Sequence, residues 1–552
     1  MATRTTLQAK ILMGTVAVGI LMGGYFYAKS KGYIKGEAPV ATQDGNGIVT
    51  GSVGGGESSQ VGTASSPLKV SLVSFHGYAP ALYANGNSLT TQPGSIFATK
   101  GVNVEFLVQD NVPTSTEVFG SGTAHCVWRT SDFWAQEQPN LRESKFDGKA
   151  IMVVDNTQGA DAIIAKDQSI KSIEDLADHK VALLQYTPSH GMLVDALENS
   201  SLSGRKKQSV KTVFIQVEEG TAGVRAAFEK GSVDAAALWD PDLSLALKAV
   251  PGAHVIYSTK IASNLIYDVI VCNQKVLADP ANQSAITAFV SGWLEGVKRV
   301  NEDKNLGVIA LTKTEQMFTM LAKDQGTPFV SGLFNNLVLT DLAANIRILG
   351  LADGGTNHYE RVYKEFDVIY RGIGGTLSNP NAPIINPSDS FDYRYIRSLM
   401  GTDVAAQAEA KKAEFTFSAA ESQVVAKKAA PAVTKPVTIN FDTNSAVLSS
   451  RGQATLDNEV APLIDNYGSS YFQISGNTDS TGTASINKRI SLARAQTVVS
   501  YLVKEWNIPN ERFLVVGNGA DQPLCNEQAP DGVSLDECRT QNRTTRIAVL
   551  GR

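Results

Sequence analysis

Between residues 68 and 400, short runs rich in β-branched residues alternate with stretches of helical periodicity. The alternation predicts strands at 68–73, 102–108, 150–154, 180–184, 213–216, 235–238, 254–258 and 267–272. Helices are expected between them, among them 173–176 behind a Ser172 cap and 222–230. That order belongs to an α/β fold, in which ligands sit at the carboxyl ends of the strands. Residues 437–441 alternate as one more strand. From Leu448 onward, Leu456, Val460 and Leu463 recur at helical spacing.

Two stretches break the pattern. Residues 29–67 lack apolar periodicity and are rich in Gly, Ser and Thr, a flexible linker. Residues 401–436 combine a helical connector with a Pro/Ala linker at 429–436. Ahead of them, residues 11–28 form an unbroken apolar run preceded by Arg4 and Lys10. Phe26 sits where a cleavage site needs a small residue, so the run reads as an uncleaved transmembrane anchor. Gly19 and Gly23 make a GxxxG stripe able to bring two such helices together as a homodimer.

Composition narrows the function. The 552 residues carry a net charge of −5, with 43% hydrophobic and 19% charged positions. No basic stripe interleaved with aromatics marks a nucleic-acid binder. No GxSxG, P-loop, HExxH or CxxC motif is present, so neither a catalytic residue nor a metal or cofactor site is expected. Four cysteines are too few for a disulfide-framework protein. Cys126 and Cys272 read as buried small apolar residues, with their pairing open.

Several ordered segments carry a resemblance across residues 68–400. They are Ser74-Phe75-His76-Gly77-Tyr78-Ala79-Pro80, Lys100-Gly101-Val102-Asn103-Val104-Glu105, and Val154-Asp155-Asn156-Thr157-Gln158-Gly159-Ala160-Asp161. Ser172-Ile173-Glu174-Asp175-Leu176 and Gly231-Ser232-Val233-Asp234-Ala235-Ala236-Ala237-Leu238-Trp239-Asp240-Pro241 follow. Together they resemble a periplasmic substrate-binding protein of the nitrate/sulfonate/taurine type, a group that includes thiamine-precursor binders. The resemblance implies two lobes joined by crossovers near 155–159 and 264–268, with a small solute between them. Candidate solute contacts are His76, Gly77, Tyr78, Asp132, Asp155, Thr187, Ser189, His190, Trp239 and Asp268. Thr187, Ser189 and His190 open a helix whose free N–H groups suit an anion. The carboxylates beside them suit an amine as readily, so an anionic, zwitterionic or amine-bearing solute all fit.

Residues 437–552 resemble the OmpA-like peptidoglycan-binding domain, of α+β fold. The matching run is Ile474-Ser475-Gly476-Asn477-Thr478-Asp479-Ser480-Thr481-Gly482, then Asn487-Lys488-Arg489-Ile490-Ser491-Leu492-Ala493-Arg494-Ala495, and finally Gln541-Asn542-Arg543. A wall stem peptide ends in a zwitterion, which needs one fixed anion and one fixed cation. By the resemblance Asp479 accepts from the ammonium and Arg494 forks onto the carboxylate, with Thr478, Asn487 and Arg543 lining the pocket. Asn477 replaces the frequent histidine, and Thr544 replaces an arginine. In the oxidising compartment this implies, Cys525 and Cys538 are expected to close a short ring.

A wall-binding C-terminus orients the whole chain. Residues 1–10 then lie in the cytoplasm, 11–28 span the inner membrane as a single pass, and the bulk is periplasmic. The expected role is a solute-binding protein that feeds or senses for an ABC-type permease or another inner-membrane partner. The alternative is a wall-anchored scaffold or stator-like component whose two-lobed unit has lost its ligand.

Overall fold

The computed structural model describes residues 60–216, 219–352, 355–372, 382–428, 431–439, 441, 445–530 and 533–551. The expected anchor at 11–28, the Gly19/Gly23 stripe and nearly all of the 29–67 linker lie outside the described residues. Among the described residues no helix is long and apolar enough to cross a membrane.

Lobe I is built on six strands: β1 (Leu68–Leu72), β2 (Val104–Val108), β3 (Cys126–Thr130), β4 (Gly148–Thr157), β10 (Tyr267–Asn273) and β11 (Leu337–Leu339), in the order β11-β4-β10-β3-β1-β2. Lobe II has β5 (Asp161–Ala165), β6 (Lys180–Leu184), β7 (Lys211–Ile215), β8 (Ala235–Trp239) and β9 (His254–Ser258), ordered β7-β6-β8-β5-β9. Both sheets are mixed. In lobe I, β1 runs parallel to β2 and β3, whereas β10 is antiparallel to β3 and β4. The chain passes between lobes twice, at 158–160 after β4 and at 259–266 before β10.

The helices that shape the seam are α1 (Ala79–Ala84), α2 (Ser131–Glu143), α3 (Pro188–Glu198) and α4 (His358–Gly372). Thr130 caps α2, its hydroxyl accepting from the Phe133 N–H. The apolar face of α4 buries Tyr359, Val362, Tyr363, Phe366 and Tyr370, and the helix packs on α2 of lobe I and on α3 of lobe II.

The third unit has a four-stranded sheet, β12 (Val433–Val437), β13 (Tyr471–Asn477), β14 (Phe513–Gly519) and β15 (Thr545–Leu550), in the order β12-β15-β13-β14. Across it lie α5 (Ala419–Lys428), α6 (Ala461–Asn466), α7 (Ala484–Trp506) and α8 (Leu535–Asn542). Two readings of this region need correcting. The stretch taken as a Pro/Ala linker supplies β12, because Pro436 sits on an edge strand, where a missing N–H is tolerated. The 437–441 run accordingly only begins at the end of that strand. Both cysteine pairs are disulfides. Cys525–Cys538 closes the ring expected of it. Cys126 and Cys272 are fully buried as expected but also bonded, because they are register partners on neighbouring strands β3 and β10. With its ends 146 positions apart, that crosslink restricts the unfolded chain by about 5 kcal/mol on the chain-entropy account.

The third unit is not a loose pendant. Its turn between α6 and β13 lies on the second crossover. Asn264 Nδ2 donates to the Asp465 carbonyl at 2.8 Å and Asn264 N–H to the Asn466 carbonyl at 3.0 Å. The Ser469 and Ser470 hydroxyls donate to the carbonyls of Lys260 and Ile261, each at 3.0 Å. On α4, Arg361 forms an ion pair with Asp465, and His358 Nδ1 lies 2.9 Å from the same carboxylate. Burial opposes the charge on Asp465, yet Arg361 and His358 hold its carboxyl below the usual range. Tyr257 and Tyr467 share a buried hydroxyl contact at 2.9 Å, and Lys435 Nζ donates to Asn199 Oδ1.

Removing one member of such a half-buried pair leaves its partners uncompensated, at about 1–3 kcal/mol. Asp465→Ala should therefore split the wild-type calorimetric unfolding endotherm, with the C-terminal unit melting first. An unchanged single transition would show that the joint contributes nothing.

Candidate functional site

The seam is built around two carboxylates set directly opposite each other. Asp155 on β4 and Asp268 on β10 are register partners in an antiparallel pair, where like charges are unfavourable. Both are buried, which disfavours the charged form of each. Burial first, and the facing carboxylate second, pushes Asp155 well up. Burial pushes Asp268 up to about 6, while the hydrogen bond from the Tyr78 hydroxyl pulls it back. The Tyr78 hydroxyl donates to Asp268 Oδ1 at 2.7 Å. Gly77 is required here, since a Cβ would lie 2.0 Å from Asp155 Oδ2. Asp155, Asp268, Gly77 and Tyr78 are thus brought together.

Asp132 opens α2, and burial lifts its carboxyl to about 7. Neither its oxygens nor those of Asp155 have a hydrogen-bond partner. Asp161, at the start of β5, is a fourth buried carboxyl, raised by burial and by Asp268, Asp132 and Asp240. His76 is fully buried against Phe75 and Phe334, and burial pulls its imidazole down to about 3.

The lobe II candidates behave differently. The Thr187 hydroxyl donates to the Leu184 carbonyl, and His190 Nδ1 accepts from the Tyr186 N–H at 3.2 Å. Those bonds fix the local turn, where Tyr186 has φ +56°. Ser189 Oγ is buried without a partner. The helix end expected to hold an anion is covered by α4: the Tyr370 hydroxyl donates to the Thr187 carbonyl at 3.1 Å, and a Cβ on Gly191 would meet Tyr370 and Phe366 within 2.7 Å. Trp239 ends β8 half-buried, paired with Asp161 in register. Its neighbour Asp240 accepts from Asn336 Nδ2 across the seam at 2.7 Å. Gln136 was not expected. It lies one helical turn after Asp132, and its Nε2 reaches across to the Tyr186 carbonyl at 2.7 Å.

In the third unit, Thr478 and Asp479 follow β13, and Asn487 and Arg494 lie seven residues apart on α7. Asp479 Oδ2 accepts from Arg543 Nη1 at 2.6 Å, and Oδ1 from the Thr481 N–H at 2.9 Å. Burial works against its charge, but Arg543 and Thr481 keep the carboxyl below its usual range. Asn487 Nδ2 donates to the Asp479 carbonyl at 3.4 Å. Arg494 has its own partners: its Nε donates to the Ser445 carbonyl at 3.1 Å and its guanidinium lies over Phe441. The Thr478 hydroxyl is buried and unpartnered. Glu527 ties the site to the disulfide loop, accepting from Ser480 and Asn542 and pairing with Arg539. Among the described residues no group of three or more metal-ligating side chains occurs.

Comparison with known proteins fits this division. Residues 94–304 match the NMT1/THI5 like family, and residues 440–535 match the OmpA family. The chain thus joins an NMT1/THI5-like unit to an OmpA-family unit. A putative aliphatic sulfonates-binding protein of Escherichia coli is 38% identical over 85 residues, 15% of this chain and 24% of that protein. Outer membrane protein Omp38 of Acinetobacter baumannii is 32% identical over 111 residues, 20% of this chain and 29% of that protein. The chain therefore spans less than a third of either relative. Among solved structures, the periplasmic aliphatic sulphonate binding protein SsuA of Escherichia coli aligns at TM-score 0.44 with 16% identity, over 60% of this chain and 92% of that one. The periplasmic nitrate-binding protein NrtA of Synechocystis PCC 6803 aligns at TM-score 0.42 with 12% identity, over 63% and 91%. These relatives are named as binding and outer-membrane proteins.

A carboxyl with a higher pKa in the folded state than in the unfolded chain binds more protons when folded. Its contribution to stability is therefore lost as pH rises through the folded pKa. Asp132→Asn removes that liability. The stability advantage of the variant over wild type should grow between pH 5 and pH 8 by on the order of 2–3 kcal/mol, read from urea unfolding. A gap independent of pH would contradict a buried, unpaired Asp132.

Proposed function

We propose that this is a cell-envelope solute-binding protein that also holds peptidoglycan non-covalently. The two lobes enclose a small solute and deliver it to, or report it to, an ABC-type permease or another inner-membrane partner. The OmpA-family unit grips the stem peptide of the wall. Residues 11–28 anchor the chain in the inner membrane with residues 1–10 in the cytoplasm, and Gly19 and Gly23 pair two copies.

The observation that carries the solute reading is the set of buried, unpartnered polar side chains gathered where the chain crosses between lobes. A buried polar group without a partner is unfavourable, and such groups persist where a ligand satisfies them. For the wall, support comes from Asp479 held ionised on a strand-end loop, with Arg494 fifteen positions on in the following helix. Arg543 keeps the carboxylate oriented until the stem's ammonium shares it, and Arg494 receives the stem's carboxylate as a bidentate fork.

One observation favours a second reading. Helix α4 lies along both lobes and fills the space over the start of α3 with Phe366 and Tyr370. A two-lobed unit plugged in this way would serve as a wall-anchored scaffold or stator-like part with no solute of its own.

Sedimentation with purified peptidoglycan tests the wall reading. Asp479→Ala and Arg494→Ala should each reduce the bound fraction at least tenfold, and Arg543→Ala should reduce it less. Wild-type sedimentation of both first variants would contradict the reading.

A further inference from the structure

We infer that the seam takes a cationic solute donating several N–H hydrogen bonds, an ammonium, amidinium or guanidinium group, rather than an oxyanion. This rests on reading the two lobes as a solute-binding unit. Both oxygens of Asp132, both of Asp155 and Oε1 of Gln136 are buried acceptors that make no hydrogen bond of good geometry, and Ser189 Oγ makes none either. Asp132, Asp155 and Gln136 have no exposed surface, and Ser189 retains 1%.

Gln136 makes the case independent of charge alone. Its amide is fixed in the seam by the Nε2 bond to the Tyr186 carbonyl of the other lobe. That bond leaves the neutral Oε1 pointing away from the donor end of the same group, on the helix face that carries Asp132. A ligand that satisfies these groups must bring donors.

The features an oxyanion would need are already engaged. Arg129, the buried guanidinium on β3, is paired with Glu137 and also donates to Ser115 Oγ and the Trp128 carbonyl. The start of α3 is covered by Tyr370 and Phe366. A zwitterion would therefore find its ammonium partners in the seam but not the anion site predicted for its other end.

Thermal-shift and calorimetric titrations of the full chain at pH 8 test this, using methylguanidine, agmatine and ethanolamine against methanesulfonate, nitrate and phosphate. The expected result is stabilisation by at least one cation and by none of the oxyanions. Asp132→Asn should weaken that cation at least tenfold. Gln136→Leu, which leaves every charge in place, should weaken it about fivefold and covers the case in which the first variant fails to fold. Binding of an oxyanion without any cation would overturn this inference while leaving the solute-binding reading intact. Silence from all six compounds would remove both. Wild-type cation affinity in both variants would overturn the inference by placing the site elsewhere.

Discussion

The structure turns on two carboxylates, Asp155 and Asp268, set face to face on neighbouring strands at the level where the chain crosses between lobes. Sheet pairing fixes their separation, Gly77 lets the Asp155 side chain lie against the backbone, and the Tyr78 hydroxyl supports Asp268. Like charges facing each other at such a site disfavour double ionisation, which a shared proton or a cation relieves. With Asp132 and Asp161 beside them, the seam gathers four buried carboxyls whose charged forms are disfavoured by burial.

The same crossover that leads into Asp268 is gripped from outside. Residues 260–264 accept from and donate to the turn at 465–470, and Arg361 on α4 joins that turn to the helix covering the seam. The interface also takes in lobe II, through Tyr257 with Tyr467 and through Asn199 with Lys435. Lobe II and the OmpA-family unit therefore share a buried polar joint, and the OmpA-family unit holds one side of the hinge. On the proposed reading, any opening of the lobes moves lobe I relative to the wall.

Much of this architecture was legible in the residue pattern. The strands at 180–184 and 254–258 fall where alternation places them, and the crossovers lie within a few residues of expectation. β3 has no clear strand pattern in the sequence because Arg129 interrupts its apolar run, although Glu137 pairs with that arginine inside the fold. β12 was hidden by Pro436, whose tolerance depends on an edge position that only the sheet order reveals. The Cys126–Cys272 bond depends on β3 lying beside β10, a neighbour relation spanning 146 residues. Motif spacing pointed to Asp479 and Arg494, but Arg543 as the partner of Asp479 follows from the approach of β13 to the segment after α8. Gln136 and Glu527 carry no local signal, since what they do is bridge elements distant in the chain.

Proton release on binding tests the central claim most directly. Calorimetric titration of the full chain with methylguanidine, at pH 7 in buffers of different ionisation enthalpy, counts the protons exchanged when the seam fills. The groups facing it are Asp132, Asp155, Asp161, Asp268, Tyr78 and the Glu137-paired Arg129. A cation entering among raised carboxyls must displace their protons, so a net release of about one proton per ligand is expected. Binding with no proton exchange, or with uptake, would contradict the account.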